Sequence, residues 1–106
     1  MSSTLDQVQE NIHAQLVRDY GDRYIRDVSN MLYFGLSEEV GEVLGIAKRS
    51  IRQFDSDKSV LSREHLVEEL GDVLWYLVAV CDVHKMSLEE IWTANKKKLE
   101  ERYGQC

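Results

Sequence analysis

Apolar residues return at spacings of three and four along most of this 106-residue chain, which contains no proline, so the pattern predicts helices and argues against strands. A first helix is expected to begin behind Thr4 and run to about Tyr20, with Leu5, Val8, Ile12 and Leu16 on one face and Gly21 ending it. A second, from about Val28 to Gln53, carries Leu32, Leu36, Val40, Val43, Ala47 and Ile51. The polar segment Phe54 to Leu61, with Asp55, Ser56, Asp57 and Ser59, reads as the loop that returns the next helix antiparallel. That third helix is expected over about Ser62 to Lys85, with Leu66, Leu70, Val73, Leu77, Val80 and Cys81 as its stripe and His84 continuing it as a core residue or helix-end cap. The last, about Leu88 to Tyr103, has the clearest start, since Ser87 and Glu90 have capping-box spacing, and Gly104 is its stop. Each stripe must be buried against another, so an all-α, four-helix bundle is the economical arrangement.

A chain of 106 residues supports one core, hence a single domain over residues 1–106. Apolar residues on further helix faces, Phe34, Ile46, Trp75 and Val78, suggest that more surface is buried in a symmetric oligomer. No apolar run reaches the roughly 20 residues of a membrane span, and the N-terminus lacks a signal-peptide pattern, which leaves the cytoplasm as the expected location. Cys81 and Cys106 have neither metal nor framework spacing, so no disulfide is expected. The formal charge of −6 disfavours nonspecific nucleic-acid binding, which comes mainly from Lys and Arg neutralising phosphates.

The acidity is concentrated. Glu38-Glu39-Val40-Gly41-Glu42-Val43-Leu44 recurs thirty residues later as Glu68-Glu69-Leu70-Gly71-Asp72-Val73-Leu74. Positions three apart on an α-helix are separated by about 60° around its axis, so Glu39 with Glu42, and Glu69 with Asp72, project as pairs. Both pairs occupy the same flank of their stripes, and antiparallel packing would bring them to one site. Carboxylates gathered there repel and are costly to bury without a cation. An all-oxygen set without Cys or His favours a hard ion, and magnesium binds carboxylates together with substrate phosphates. A lone acidic pair on a helix is usually a solvated face, but here the pattern occurs twice in register. Gly41 and Gly71, costly inside helices, suggest close approach by a neighbouring helix or a ligand.

The run Glu38 to Glu42, then 26 residues, then Glu69 to Asp72, resembles the MazG signature of E-E-x-x-E followed at a distance by E-x-x-D. Asn95, Lys98 and Arg102 resemble that family's C-terminal phosphate-contacting residues, so the likeness spans about Leu32 to Tyr103. It implies an all-α nucleoside triphosphate pyrophosphohydrolase that cleaves between the α and β phosphates, releasing a monophosphate and pyrophosphate for nucleotide-pool sanitation or control. Carried over by position, Glu39, Glu42, Glu69 and Asp72 would hold Mg2+, with Glu38 beside them as water-orienting group or general base. Asn95, Lys98 and Arg102 would contact sugar and phosphates, and Tyr76, one turn after Asp72, could stack on sugar or base. Trp75 and Trp92 read as packing residues, and Lys96 and Lys97 as solvated. The resemblance also implies a homodimer or homotetramer with sites built across subunits. It is shared by phosphoribosyl-ATP pyrophosphohydrolases and leaves the nucleotide open.

Two other classes compete. A di-iron carboxylate bundle needs two E-x-x-H motifs, and the chain has one, Glu10 to His13. A helical dimerisation or adaptor module predicts acidic pairs that face solvent separately. Asn11 and His13 on the first helix are candidates for base selectivity, without a motif to fix the role.

Overall fold

The computed structural model describes residues 4–21, 29–52 and 63–104. They form four helices, α1 (Leu5–Tyr20), α2 (Ser29–Arg52), α3 (Arg63–Val83) and α4 (Leu88–Tyr103), and no strand among the described residues. The fold is all-α, as the spacing of apolar residues predicts. The loop expected at Phe54–Leu61 lies outside the described residues, as do Val28, Gln53 and Ser62. No helix of the described residues is long and apolar enough to cross a membrane.

The chain divides into two compact units, one comprising Met1–Ser29 with Val78–Cys106 and the other Asn30–Leu77. In the first, Thr4 caps α1 through a reciprocal capping box, its hydroxyl accepting from Gln7 N and the Gln7 side chain accepting from Thr4 N. Ile12 and Leu16 bury the inner face of α1, while Val8 is half-buried and Leu5 exposed. α1 lies against α4. Gln9 ties α1 to the turn before α4, its Nε2 donating to Met86 O at 2.8 Å and its Oε1 accepting from Leu88 N at 3.0 Å. Ser87 caps α4 by accepting from Glu90 N, and Gly104 ends it at φ +87°, donating to Glu100 O. α4 has no buried residue, so Trp92, read from sequence as a packing residue, is exposed instead.

α3 stops at Val83, two residues earlier than its stripe predicts. The cause is a Schellman turn: Met86 N donates to Cys81 O, Lys85 N donates to Asp82 O, and Lys85 takes the left-handed conformation at φ +58°. His84 is therefore exposed at the C-cap position, its N–H still donating to Val80 O and Cys81 O, so it is the helix-end cap and not a core residue. Cys81 is buried, and burial, with the Asp82 charge adding, pushes its thiol above the ordinary value, which suits an inert core position. A left-handed residue with a Cβ is disfavoured by about 1–2 kcal/mol. Lys85→Gly is therefore expected to stabilise the protein by about 1 kcal/mol, raising Tm by roughly 4–8 °C; an unchanged or lower melting temperature would remove the strain argument.

In the second unit Leu32 and Ile46 are buried apolar residues of α2. Ile46 here and Val78 in the first unit are thus core residues of a single chain, which corrects their reading as spare apolar surface. Of that set only Phe34 is largely exposed, at 74%, and Trp75 is half-buried. The α3 stripe is less covered than its periodicity suggests, with Leu70 and Leu77 exposed and Leu66 and Val73 half-buried.

Candidate metal centre

α2 and α3 run antiparallel where they meet. Glu39 lies beside Asp72, and Gly35, one turn back along α2, lies against the ring of Tyr76, one turn forward along α3. This register places one copy of the repeated acidic pattern against the other. Each of Glu39, Glu69 and Asp72 offers a carboxylate oxygen within 4.8 Å of the other two, the only such His, Cys, Asp or Glu group among the described residues. On an octahedral Mg2+ two oxygens lie about 3 Å apart when cis and about 4.2 Å when trans, so the three carboxylate ends would draw together to share one hard divalent ion.

The electrostatics agree with that fit. The Glu39 carboxyl is held above the ordinary carboxylate value, first by its partial burial and then by the charges of Asp72, Glu69, Glu38 and Glu42. The charges of the other four acids singled out in the two motifs therefore all reach Glu39. Glu42 and Glu38 are exposed on α2 and stand outside the close trio. Glu69 is tucked in at 17% side-chain exposure, and His65, one turn earlier on α3, places Nε2 at 3.4 Å from its Oε1.

Glu39 and Asp72 also border an open recess of about 360 Å³ whose other walls are Trp75 and Tyr76. The two rings meet edge to face, with centroids 5.1 Å apart and an interplanar angle of 78°. Trp75, read from sequence as a packing residue, thus joins Tyr76 in an aromatic wall beside the acids. Gly35 admits the Tyr76 ring, because a methyl group built there would fall within 2.6 Å of Tyr76 Cδ1 and Cζ. By contrast, Gly41 and Gly71 are exposed and a Cβ on either would meet nothing within 4 Å, so close helix packing does not account for them.

A second recess, about 310 Å³, is lined by Asp6, Gln9, Glu10, His13 and Asp82. There His13 Nδ1 pairs with Asp82 Oδ2 at 2.6 Å, so the E-x-x-H histidine is engaged by a neighbouring carboxylate. Three of its five lining side chains are carboxylates, which would repel a nucleotide's phosphates, and they form no metal-type group among the described residues, so the trio on α2 and α3 is the better candidate. Asn95, Lys98 and Arg102 are exposed on α4, with Lys98 and Arg102 one turn apart.

The acidic register has a counterpart in known proteins. Residues 27–106 match the sequence model of the MazG nucleotide pyrophosphohydrolase domain. The chain belongs to the MazG family. Among its relatives, the Gene 37 protein of Mycobacterium phage L5 is 32% identical over 68 residues, covering 64% of this chain and 60% of that protein. The uncharacterised protein YvdC of Bacillus subtilis (strain 168) is 31% identical over 77 residues, covering 64% of this chain and 69% of that protein. This MazG chain thus spans less than two thirds of the phage relative's length. No solved structure matches it significantly.

His65 and Trp75 are the two residues at the site that the sequence reading does not assign to it. Both had a positional signal: His65 precedes Glu69 by four residues and Trp75 follows Asp72 by three, spacings that share a helix face.

Proposed function

We propose that this MazG domain hydrolyses nucleoside or deoxynucleoside triphosphates to the monophosphate and pyrophosphate in a magnesium-dependent reaction. The observation that carries the reading is the convergence of Glu39, Glu69 and Asp72 at the edge of a recess walled by Trp75 and Tyr76. A carboxylate trio suits the cation that triphosphates carry, and an adjacent aromatic wall suits the nucleoside. Glu42, whose charge already reaches Glu39, is the fourth ligand in this proposal. Bound there, a magnesium ion would neutralise phosphate charge and activate a water. Glu38, exposed beside the trio, orients the attacking water or accepts its proton. Tyr76 packs against sugar or base. Asn95, Lys98 and Arg102 enter the proposal as sugar and phosphate contacts on the family resemblance alone.

Three further proposals accompany it. The chain acts as one domain, a reading supported by α3, which contributes residues to both compact units. It works as a homodimer or homotetramer, since Val67, Leu70, Leu74 and Leu77 form an exposed apolar stripe with spacings of three and four on α3, and Phe34 and Leu44 are exposed on α2. It acts in the cytoplasm on free nucleotides, in nucleotide-pool sanitation or control.

The test is release of pyrophosphate from canonical and modified nucleoside triphosphates and phosphoribosyl-ATP, with magnesium and with chelator. Chelator-sensitive pyrophosphate with stoichiometric monophosphate is expected from at least one triphosphate. Turnover of phosphoribosyl-ATP alone would replace the substrate class, and silence across the panel from a folded protein would favour the adaptor reading. Sedimentation of the same preparation is expected to show more than one chain per particle; a monomer at micromolar concentration would remove the oligomer proposal.

A further inference from the structure

We propose that His65 is a positioning residue for the metal centre, holding the Glu69 carboxylate in the orientation that presents it to Glu39 and Asp72. The inference rests on the metal-centre reading above. Glu69 is tucked in at 17% side-chain exposure, and a glutamate has three side-chain torsions that must be fixed before one of its oxygens can face a chosen point. His65 supplies a constraint from the same helix. One turn toward the N-terminus, its Nε2 lies 3.4 Å from Glu69 Oε1, and the imidazole is half in solvent, at 49% exposure. A contact on Oε1 from that side restricts the rotation of the carboxylate and favours one direction for its other oxygen. The contact serves in either protonation state of the ring, because Nε2 can carry a donating proton in both.

A surface pair of this spacing contributes only a few tenths of a kcal/mol to a helix. Stability therefore does not justify the histidine's place, whereas ligand orientation does: loss of a group that orients a metal-binding carboxylate typically weakens metal binding by about 10–100-fold. The motif records Glu69 and Asp72 but not what aims them.

The experiment is a titration of the chelator-treated full chain with Mn2+, following the free-ion signal by electron paramagnetic resonance, for the wild type, His65→Ala, His65→Gln and Glu39→Gln. Mn2+ serves as the spectroscopic probe of an oxygen site that takes divalent ions. His65 is exposed on a helix and alanine is a strong helix former, so His65→Ala is expected to keep the wild-type circular dichroism. It should bind Mn2+ about 10-fold more weakly, while His65→Gln, whose amide Nε2 can donate from a similar position, should stay within about threefold of the wild type. Wild-type affinity in His65→Ala, with affinity lost in Glu39→Gln, would overturn the positioning role and leave the metal centre standing. His65→Gln binding as weakly as His65→Ala would overturn the donor contact as its basis. Equal binding by the wild type and Glu39→Gln would overturn both the metal centre and this inference.

Discussion

Asp72→Asn is expected to reduce magnesium-dependent turnover by about 100-fold or more, since even groups that only orient a metal's ligands are commonly worth 10–100-fold, and to leave the helical circular dichroism unchanged. Asp72 is exposed, so its loss leaves no cavity and strands no buried partner. The same reasoning gives Glu39→Gln a two-sided result that a purely structural acid would not show. The Glu39 carboxyl is raised by partial burial and by four neighbouring acids, so its ionised form is disfavoured in the folded protein. A carboxyl raised on folding contributes stability that is fully present below its unfolded value and is lost as pH rises through the folded one. At neutral pH the metal-free wild type therefore carries an electrostatic penalty that Glu39→Gln removes. The variant should melt above the wild type in chelator, and the gap should close as the solution is acidified. In magnesium the order should reverse, because the wild type gains about 2.7 kcal/mol at a ligand concentration 100 times Kd and the variant does not. Thermal melts at two pH values, with and without magnesium, read all four cases. A variant that melts below the wild type in chelator, or that keeps its magnesium response, would remove Glu39 from the metal site.

The elements legible in the sequence are those with strong local signals. Thr4, Ser87, Gly21 and Gly104 mark ends of α1 and α4 that the structure reproduces, because a cap is decided by residues within a few positions of it. The end of α3 was less legible for the opposite reason: Lys85 takes a left-handed conformation that composition assigns to glycine, so the apolar stripe alone runs the helix too far. Ile46 and Val78 show the limit of periodicity. Both lie off the expected stripes yet are buried, since coverage depends on which neighbours arrive and not on the residue's own helix. At the site, the repeated acidic motif identifies residues that converge because the two helices pack antiparallel in register. The histidine beside Glu69 and the tryptophan beside Tyr76 belong to no repeat, and their helix-face spacing from the acids gains meaning only once the structure shows what they border.

Gly35→Ala is expected to destabilise the protein although alanine is the better helix former. A methyl group there would fall within 2.6 Å of Tyr76 Cδ1 and Cζ, so the half-buried ring, edge to face with Trp75, would have to shift to admit it. Overpacking of this kind costs about 1–3 kcal/mol, against a gain of about 1 kcal/mol from replacing glycine within a helix. The expected net loss is therefore about 1 kcal/mol, or roughly 4–8 °C in Tm. If Tyr76 forms part of the nucleoside wall, its displacement should also raise KM more than it lowers kcat, a pattern that loss of a metal ligand would not give. The sign of the effect should depend on the ring. In a Tyr76→Ala background the obstruction is gone, so adding Gly35→Ala should become stabilising by up to about 1 kcal/mol. The resulting coupling between positions 35 and 76 should lie within the range of about 0.5–3 kcal/mol seen for residues in contact. Denaturant unfolding of the four proteins measures it directly. Additive effects would mean that α2 and α3 do not meet through this glycine, and the register that brings Glu39 to Asp72 would lose its second point of contact.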